Sequence, residues 1–163
     1  MEQLDALSSK ISFTTDGNQY LTFALGSEDY GVEILKVQEI KGYTPVTPIP
    51  NTPSYVKGVM NLRGTIIPVV DLRAKLGMAE TAYNSFTVII VVRLAAKTVG
   101  LIVDAVSDVL NIPLDDIQAT PDFGARVDAK FISGMAKASE RLIVLLDIDR
   151  VLEADEAVLG AAA

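Results

Sequence analysis

Neither histidine nor cysteine occurs anywhere in the 163 residues. The first absence removes the commonest general base and the commonest transition-metal ligand. The second removes disulfides, thiolate chemistry and cysteine metal sites together. Aromatic residues are few, and charged residues make up only 21% of the chain, a low share that suggests apolar surface covered by partners. No apolar run approaches the roughly 18 to 20 residues of a membrane span, and Met1 to Gly17 lacks a basic region followed by an apolar one. A cytoplasmic location without membrane insertion is therefore expected. The net charge of −7, with no basic cluster to offset it locally, disfavours any role that begins by neutralising phosphates, so nucleic acid is excluded as a partner.

Half of the residues are hydrophobic, mostly Val, Ile, Leu and Ala, which favours strands buried on both faces over amphipathic helices. The length suits one β-rich domain, or two small subdomains sharing a core, and can bury roughly 70% of the unfolded surface. Residues 1–17 show no sustained period and read as a loosely ordered lead-in. From Gln19, two alternating runs flank Gly26-Ser-Glu-Asp29 and predict a hairpin. The spacing then changes to three at Ile34, Val37 and Ile40, which predicts one or two helical turns before Gly42. Four prolines between Thr44 and Pro53 predict a stiff spacer outside any ladder.

Gly58 to Arg73 carries the clearest plan: an apolar run, a turn at Asn61-Leu-Arg-Gly64, a β-branched run, then Asp71 as the N-cap of a short helix stopped by Gly77. The second half repeats the template. Phe86 to Val92 reads as a central strand, Val99 to Val103 as its neighbour, and Val103, Val106 and Val109 again give a period of three. A polar segment, Ile112 to Asp128, leads to a hairpin around Ala138 to Arg141, closed by Asp147 and a helix through Ile148, Val151 and Leu152. Gly31 corresponds to Gly100, while Gly58 and Asp71 correspond to Gly134 and Asp147 with the same internal spacing. Two pseudo-repeated barrel subdomains, about 19–82 and 83–155, are expected within a domain spanning 18–155, followed by an Ala-rich tail, 156–163. A groove along the seam between barrels is the natural place for a partner.

Taken alone, several residues admit two readings. Arg63 belongs to one copy of the repeat only; it reads either as a turn residue in a weak surface ion pair or as an interface anchor. Glu39 reads as a solvated charge, or a partner for Lys36 or Lys41, or a polar anchor. Val37, Val88 and Val109 read as core residues unless they line the seam. Gly58 reads as a close backbone approach or a positive φ. Asp71 and Asp147 stand before short helices and read as caps rather than paired catalytic carboxylates. Asp104 and Asp108, two like charges without a third ligand, make a poor metal site.

Leu25-Gly26 with Tyr30-Gly31, Ile34-Leu-Lys-Val-Gln-Glu-Ile40, Asn51-Thr-Pro53, Asn61-Leu-Arg-Gly64, Pro68-Val-Val-Asp-Leu-Arg73, Val99-Gly-Leu-Ile-Val-Asp104 and Val106-Ser-Asp-Val109 together resemble the CheW coupling proteins of bacterial chemotaxis, from about Gln19 to Leu152. The resemblance implies a mainly β fold of two intertwined SH3-like five-stranded barrels with short helices. It implies no catalytic residue, no cofactor and no metal. Proteins similar to this one join the histidine kinase CheA, through its regulatory domain of the same fold, to the cytoplasmic tips of methyl-accepting chemoreceptors. Carried over residue by residue, receptor contact falls on Val37, Glu39, Gly58, Arg63, Val88 and Val109. For the kinase the resemblance gives only a region, the exposed barrel ends and turns. Recruitment to membrane-associated receptor arrays follows, and the ring form of such arrays leaves room for contacts between copies of the chain. The receiver domain of CheV proteins and the nucleotide-binding parts of the kinase have no counterpart here. The alternative from another class is a stand-alone β-barrel that binds a small ligand or performs acid-assisted hydrolysis, which the missing histidine, phosphate loop and metal cluster disfavour.

Overall fold

The computed structural model describes residues 19–79, 82–94, 97–118, 131–138 and 140–153. The expected lead-in at 1–17, the Ala-rich tail at 156–163 and much of the polar segment before Phe131 lie outside these residues. Eleven strands are described: β1 (Gln19–Leu25), β2 (Glu28–Glu33), β3 (Val37–Gly42), β4 (Val56–Leu62), β5 (Thr65–Asp71), β6 (Val88–Leu94), β7 (Lys97–Val103), β8 (Ala105–Asn111), β9 (Ile117–Gln118), β10 (Ile132–Ala138) and β11 (Arg141–Leu146). A first short helix, Leu72–Lys75, follows β5, and a second, Ile148–Glu153, follows β11.

The strands form two sheets, in the orders β8-β1-β2-β11-β10-β9 and β3-β6-β7-β5-β4. Exchanging each strand of the first half with its repeat in the second (β1 with β6, β2 with β7, β3 with β8, β4 with β10, β5 with β11) turns one order into the other, apart from the two-residue β9 at one edge. Each sheet takes strands from both halves, joined by the parallel pairs β2–β11 and β5–β7. The sequence boundary near residue 82 is thus not a boundary between sheets; the first half supplies β1 and β2 to one and β3, β4 and β5 to the other.

This exchange explains why β6 is an unbroken apolar run. Its Val88, Ile90, Val92 and Leu94 point into the large core shared by the two sheets. Its Ile89 and Val91 point the other way, into a smaller core with Met60, Leu62, Ile67, Val69 and Ile102. A matching small core of Tyr20, Ile112, Ala136, Ile143 and Leu145 fills the other barrel. A strand buried on both faces has no solvent side to be polar, hence no alternation.

Two expectations are corrected. The period of three at Ile34, Val37 and Ile40 is helical only for one 3-10 turn, Ile34–Lys36; Val37 and Ile40 belong to β3. Val106 and Val109 likewise lie on a strand, β8. In each case a β-bulge supplies the third residue. Val37 faces Val92 while Glu39 faces Val91, so Gln38 is extra; Phe23 faces Val106 while Thr22 faces Asp108, so Ser107 is extra. One inserted residue converts an alternation of two into a spacing of three, with Val37 and Ile40 on one side of β3 and Val106 and Val109 on one side of β8. The second bulge is bonded from inside, because buried Thr22 donates its hydroxyl to the Asp108 carbonyl at 3.0 Å and accepts the Asp108 N–H at 3.1 Å.

The proline-rich spacer forms no strand but is bridged to β4 through reciprocal 2.9 Å bonds between Thr47 and Val59. Asp71 caps the first helix by accepting the Ala74 N–H, and Asp147 accepts that of Arg150 in the second. Asp71 N–H donates to the Tyr55 carbonyl and Asp147 N–H to that of Phe131, so the repeated aspartates are held alike by repeated aromatic positions.

Candidate functional site

Leu62 lies opposite Thr65, so the turn between β4 and β5 has just two residues, Arg63 and Gly64, rather than the four from Asn61 to Gly64. Both have positive φ, 49° and 90°, which is the geometry of a type I′ hairpin. Asn61 locks it by accepting the Gly64 N–H on its side chain at 2.7 Å. Such a turn favours Asn or Gly at its first position, and an arginine held left-handed there is strained. Glu140 in the turn of the second hairpin is left-handed too, at φ 63°, so what is particular to Arg63 is where its side chain goes.

The strained turn aims Arg63 across to β3, where its Nη1 donates to Glu39 Oε2 at 2.9 Å. The Glu39 partner is thus neither Lys36 nor Lys41. Hydrogen bond and charge together raise the Arg63 guanidinium above its ordinary range, so its charge is constant. The arginine side chain remains 65% exposed and the glutamate 26%. Glu39 Oε1 is buried, and among the described residues it has no hydrogen-bond partner. The guanidinium forks outward from this pair, leaving a donor surface beside an unmatched acceptor.

The other residues singled out in the sequence lie elsewhere on these strands and on the second sheet. Val37 begins β3 and Val88 begins the adjacent β6; they are 9% and 7% exposed and belong to the shared core. Val109, on β8 of the other sheet, is half-buried and packs against that core. The three valines therefore belong to or border the core between the sheets, with two of them almost wholly buried. Gly58 is set apart. It follows the extra residue of the β4 bulge, Lys57, is buried with φ 148°, and a Cβ there would collide with the backbone of Thr47 and Pro48. Its role is to admit that backbone, whereas its counterpart Gly134 makes room for the Ile117 side chain and the Gln118 carbonyl.

No local sequence signal announces the pairing of Arg63 with Glu39, since 24 residues and the spacer separate them. Tyr83 was also not anticipated; its hydroxyl donates to Asp71 Oδ2 at 2.7 Å, and its ring lies 4.6 Å from that of Tyr43. Asp104 and Asp108 share no helical face, and Asp104 is paired with Arg73 at 3.0 Å. Among the described residues no group of three acidic side chains could hold a metal ion, and no helix is long and apolar enough to cross a membrane. The large exposed apolar side chains among them include Leu35, Ile66, Phe86, Leu114 and Leu142.

Comparison with known proteins bears on the family and the fold. The CheW-like domain family matches residues 19–156. A chemotaxis protein CheW of Klebsiella aerogenes is 43% identical over 154 residues, covering 94% of this chain and 93% of that protein. The chemotaxis protein CheW of Rhizobium meliloti is 41% identical over 143 residues, covering 88% and 92%. The crystal structure of the scaffolding protein TtCheW from Thermoanaerobacter tengcongensis superposes with a TM-score of 0.78 at 34% identity, covering 84% of this chain and 93% of that one. With two sheets built of exchanged strands and a family match over nearly all the described residues, the chain belongs to the CheW family of chemotaxis scaffold proteins.

Proposed function

We propose that this chain is a non-catalytic cytoplasmic adaptor that holds chemoreceptor tips and the regulatory domain of the histidine kinase CheA in one array. The receptor contacts the seam at Val37, Glu39, Arg63, Val88 and Val109, while Gly58 shapes β4 from below. Kinase contact falls on the exposed barrel ends and turns. The observation that carries this reading is the strained Arg63, held by Glu39 with most of its guanidinium in solvent. A left-handed arginine over a buried, unmatched carboxylate oxygen is costly for the free protein and useful to a polar partner. Acceptors on a receptor helix tip would take the outward guanidinium N–H groups, and a donor would take Glu39 Oε1. The seam valines contribute mainly by shape, since so little of them is accessible.

Affinities of micromolar order, about −8 kcal/mol for each partner, suit an array held together by many such contacts, including contacts between copies of this chain in its rings. Family membership leaves the alternative of a ligand-binding barrel or a hydrolase without support.

The test is co-sedimentation with a receptor-tip fragment and, separately, with the kinase regulatory domain. Arg63→Ala should weaken receptor binding about thirtyfold, a loss of hot-spot size, and leave kinase binding unchanged. Equal loss at both partners, or no binding of either fragment by the unaltered protein, overturns the reading.

A further inference from the structure

Each short helix is tied to a crossover in the other half of the chain, and the two ties have opposite polarity. Arg73, second residue of the first helix, pairs with Asp104 between β7 and β8. Asp149, second residue of the second helix, pairs with Lys36 between β2 and β3 at 2.8 Å. The same place in the repeat thus carries a cation on one helix and an anion on the other.

The ties differ in how firmly they are made. Arg73 Nε reaches both Asp104 oxygens, at 3.0 and 3.2 Å, its Nη1 donates to the Ala79 carbonyl, and Asp104 also accepts the Gly26 N–H at 2.7 Å. The side chains are 14% and 31% exposed. Lys36 and Asp149 make one bond with more of each side chain in solvent, beside a cleft of about 180 Å³ that Glu33, Ser133 and Asp147 also line. Glu33 and Asp147 add their negative charge at Lys36, and Arg150 is turned to Asp147. Three carboxylates thus line the cleft beside one ammonium that bonds only Asp149, with Arg150 offsetting Asp147.

We propose that the Lys36–Asp149 pair is a releasable latch: the seam opens here first, freeing the root of β3 from the second helix while the Arg73–Asp104 tie stays closed. Because Val37 and Glu39 follow Lys36 directly, opening the latch moves the strand that carries the candidate site. The latch does not depend on which partner the seam accepts.

Amide hydrogen exchange of the full chain, at low and high sodium chloride, tests this. In the unaltered protein the amides of 34–38 and 148–151 should exchange about threefold faster at high salt, because an attraction is screened. In Lys36→Met they should be about fivefold faster at low salt and slow down as salt rises, because Glu33, Asp147 and Asp149 now repel. Lys36→Arg should behave as the unaltered protein. Asp149→Asn should loosen the segment less than Lys36→Met, and it replaces that variant if Lys36→Met does not fold. Throughout, the Gly26 amide, which reports the Arg73–Asp104 tie, and the amides of β6 should not change. The proposal is overturned if salt has no effect on 34–38 in the unaltered protein, if removing the pair leaves those amides unchanged, or if Gly26 is released with or before them.

Discussion

A Cβ added to Gly58 would fall on the carbonyl oxygen of Thr47, whose N–H and C=O both bond to Val59 one residue farther along β4. Backbone cannot swing away as a side-chain tip can, and φ is unfavourable to an L side chain as well. Gly58→Ala should therefore cost about 3 kcal/mol or more in denaturant unfolding. Gly64→Ala, with positive φ but nothing near its Cβ, should cost only about 1 kcal/mol. If the two are equal, the close approach of the spacer is not what requires glycine. Loss of partner binding in Gly58→Ala should follow loss of folded protein.

Arg63 tests strain against function. Arg63→Gly relieves a φ of 49° without disturbing Asn61, whose bond is to the next residue. The melting temperature should rise by about 2 to 4 °C even though an ion pair is lost, while receptor binding falls as for Arg63→Ala. A lower melting temperature would mean that the pair with Glu39 outweighs the strain.

The two capping aspartates should not be equally important. Asp71 is 4% exposed and holds both the Ala74 N–H and the Tyr83 hydroxyl, whereas Asp147 caps Arg150 at a partly exposed position. Asp71→Ala should cost about 2 to 3 kcal/mol, a cap plus a hydroxyl left without its acceptor, and Asp147→Ala about 1 kcal/mol. Tyr83→Phe should recover only part of the Asp71 effect. Urea midpoints of the three variants decide this.

Thr22→Val keeps the shape of a fully buried side chain while removing both bonds to the Asp108 backbone. It should cost about 1 to 3 kcal/mol, the price of an unmatched peptide group at the β8 bulge. Exchange of the Asp108 amide should rise well above that of the Val109 amide, which has its own bond to Asp108 Oδ1.

The hairpin, capping aspartate and short helix were legible wherever the signal was local, at Gly58 to Arg73 and at Gly134 to Leu152. Val37 and Val109 were misread as helical because a bulge and a helical turn both place every third residue on one side; the sequence does not say which. The exchange of strands between sheets left no local trace either, since β2–β11 and β5–β7 join residues far apart in the chain. As for the candidate site, the asymmetry of Arg63 between the repeats directed attention to the turn at which the structure shows the pair with Glu39. What pattern alone could not separate was a valine on a seam from a valine inside it, because Val37 and Val88 are apolar for the same reason either way.

Because β1 and β2 lie between β8 and β11, the first half of the chain leaves the ribosome without either neighbour, and β5 likewise waits for β7. The five-stranded sheet cannot be joined until β7 has been made, and the other sheet must wait for β11 near the end of the described chain. The nascent chain must carry two open sheet edges and a greasy hairpin for much of its synthesis, so its vulnerable period is translation, when chaperones and neighbouring nascent chains compete for those edges.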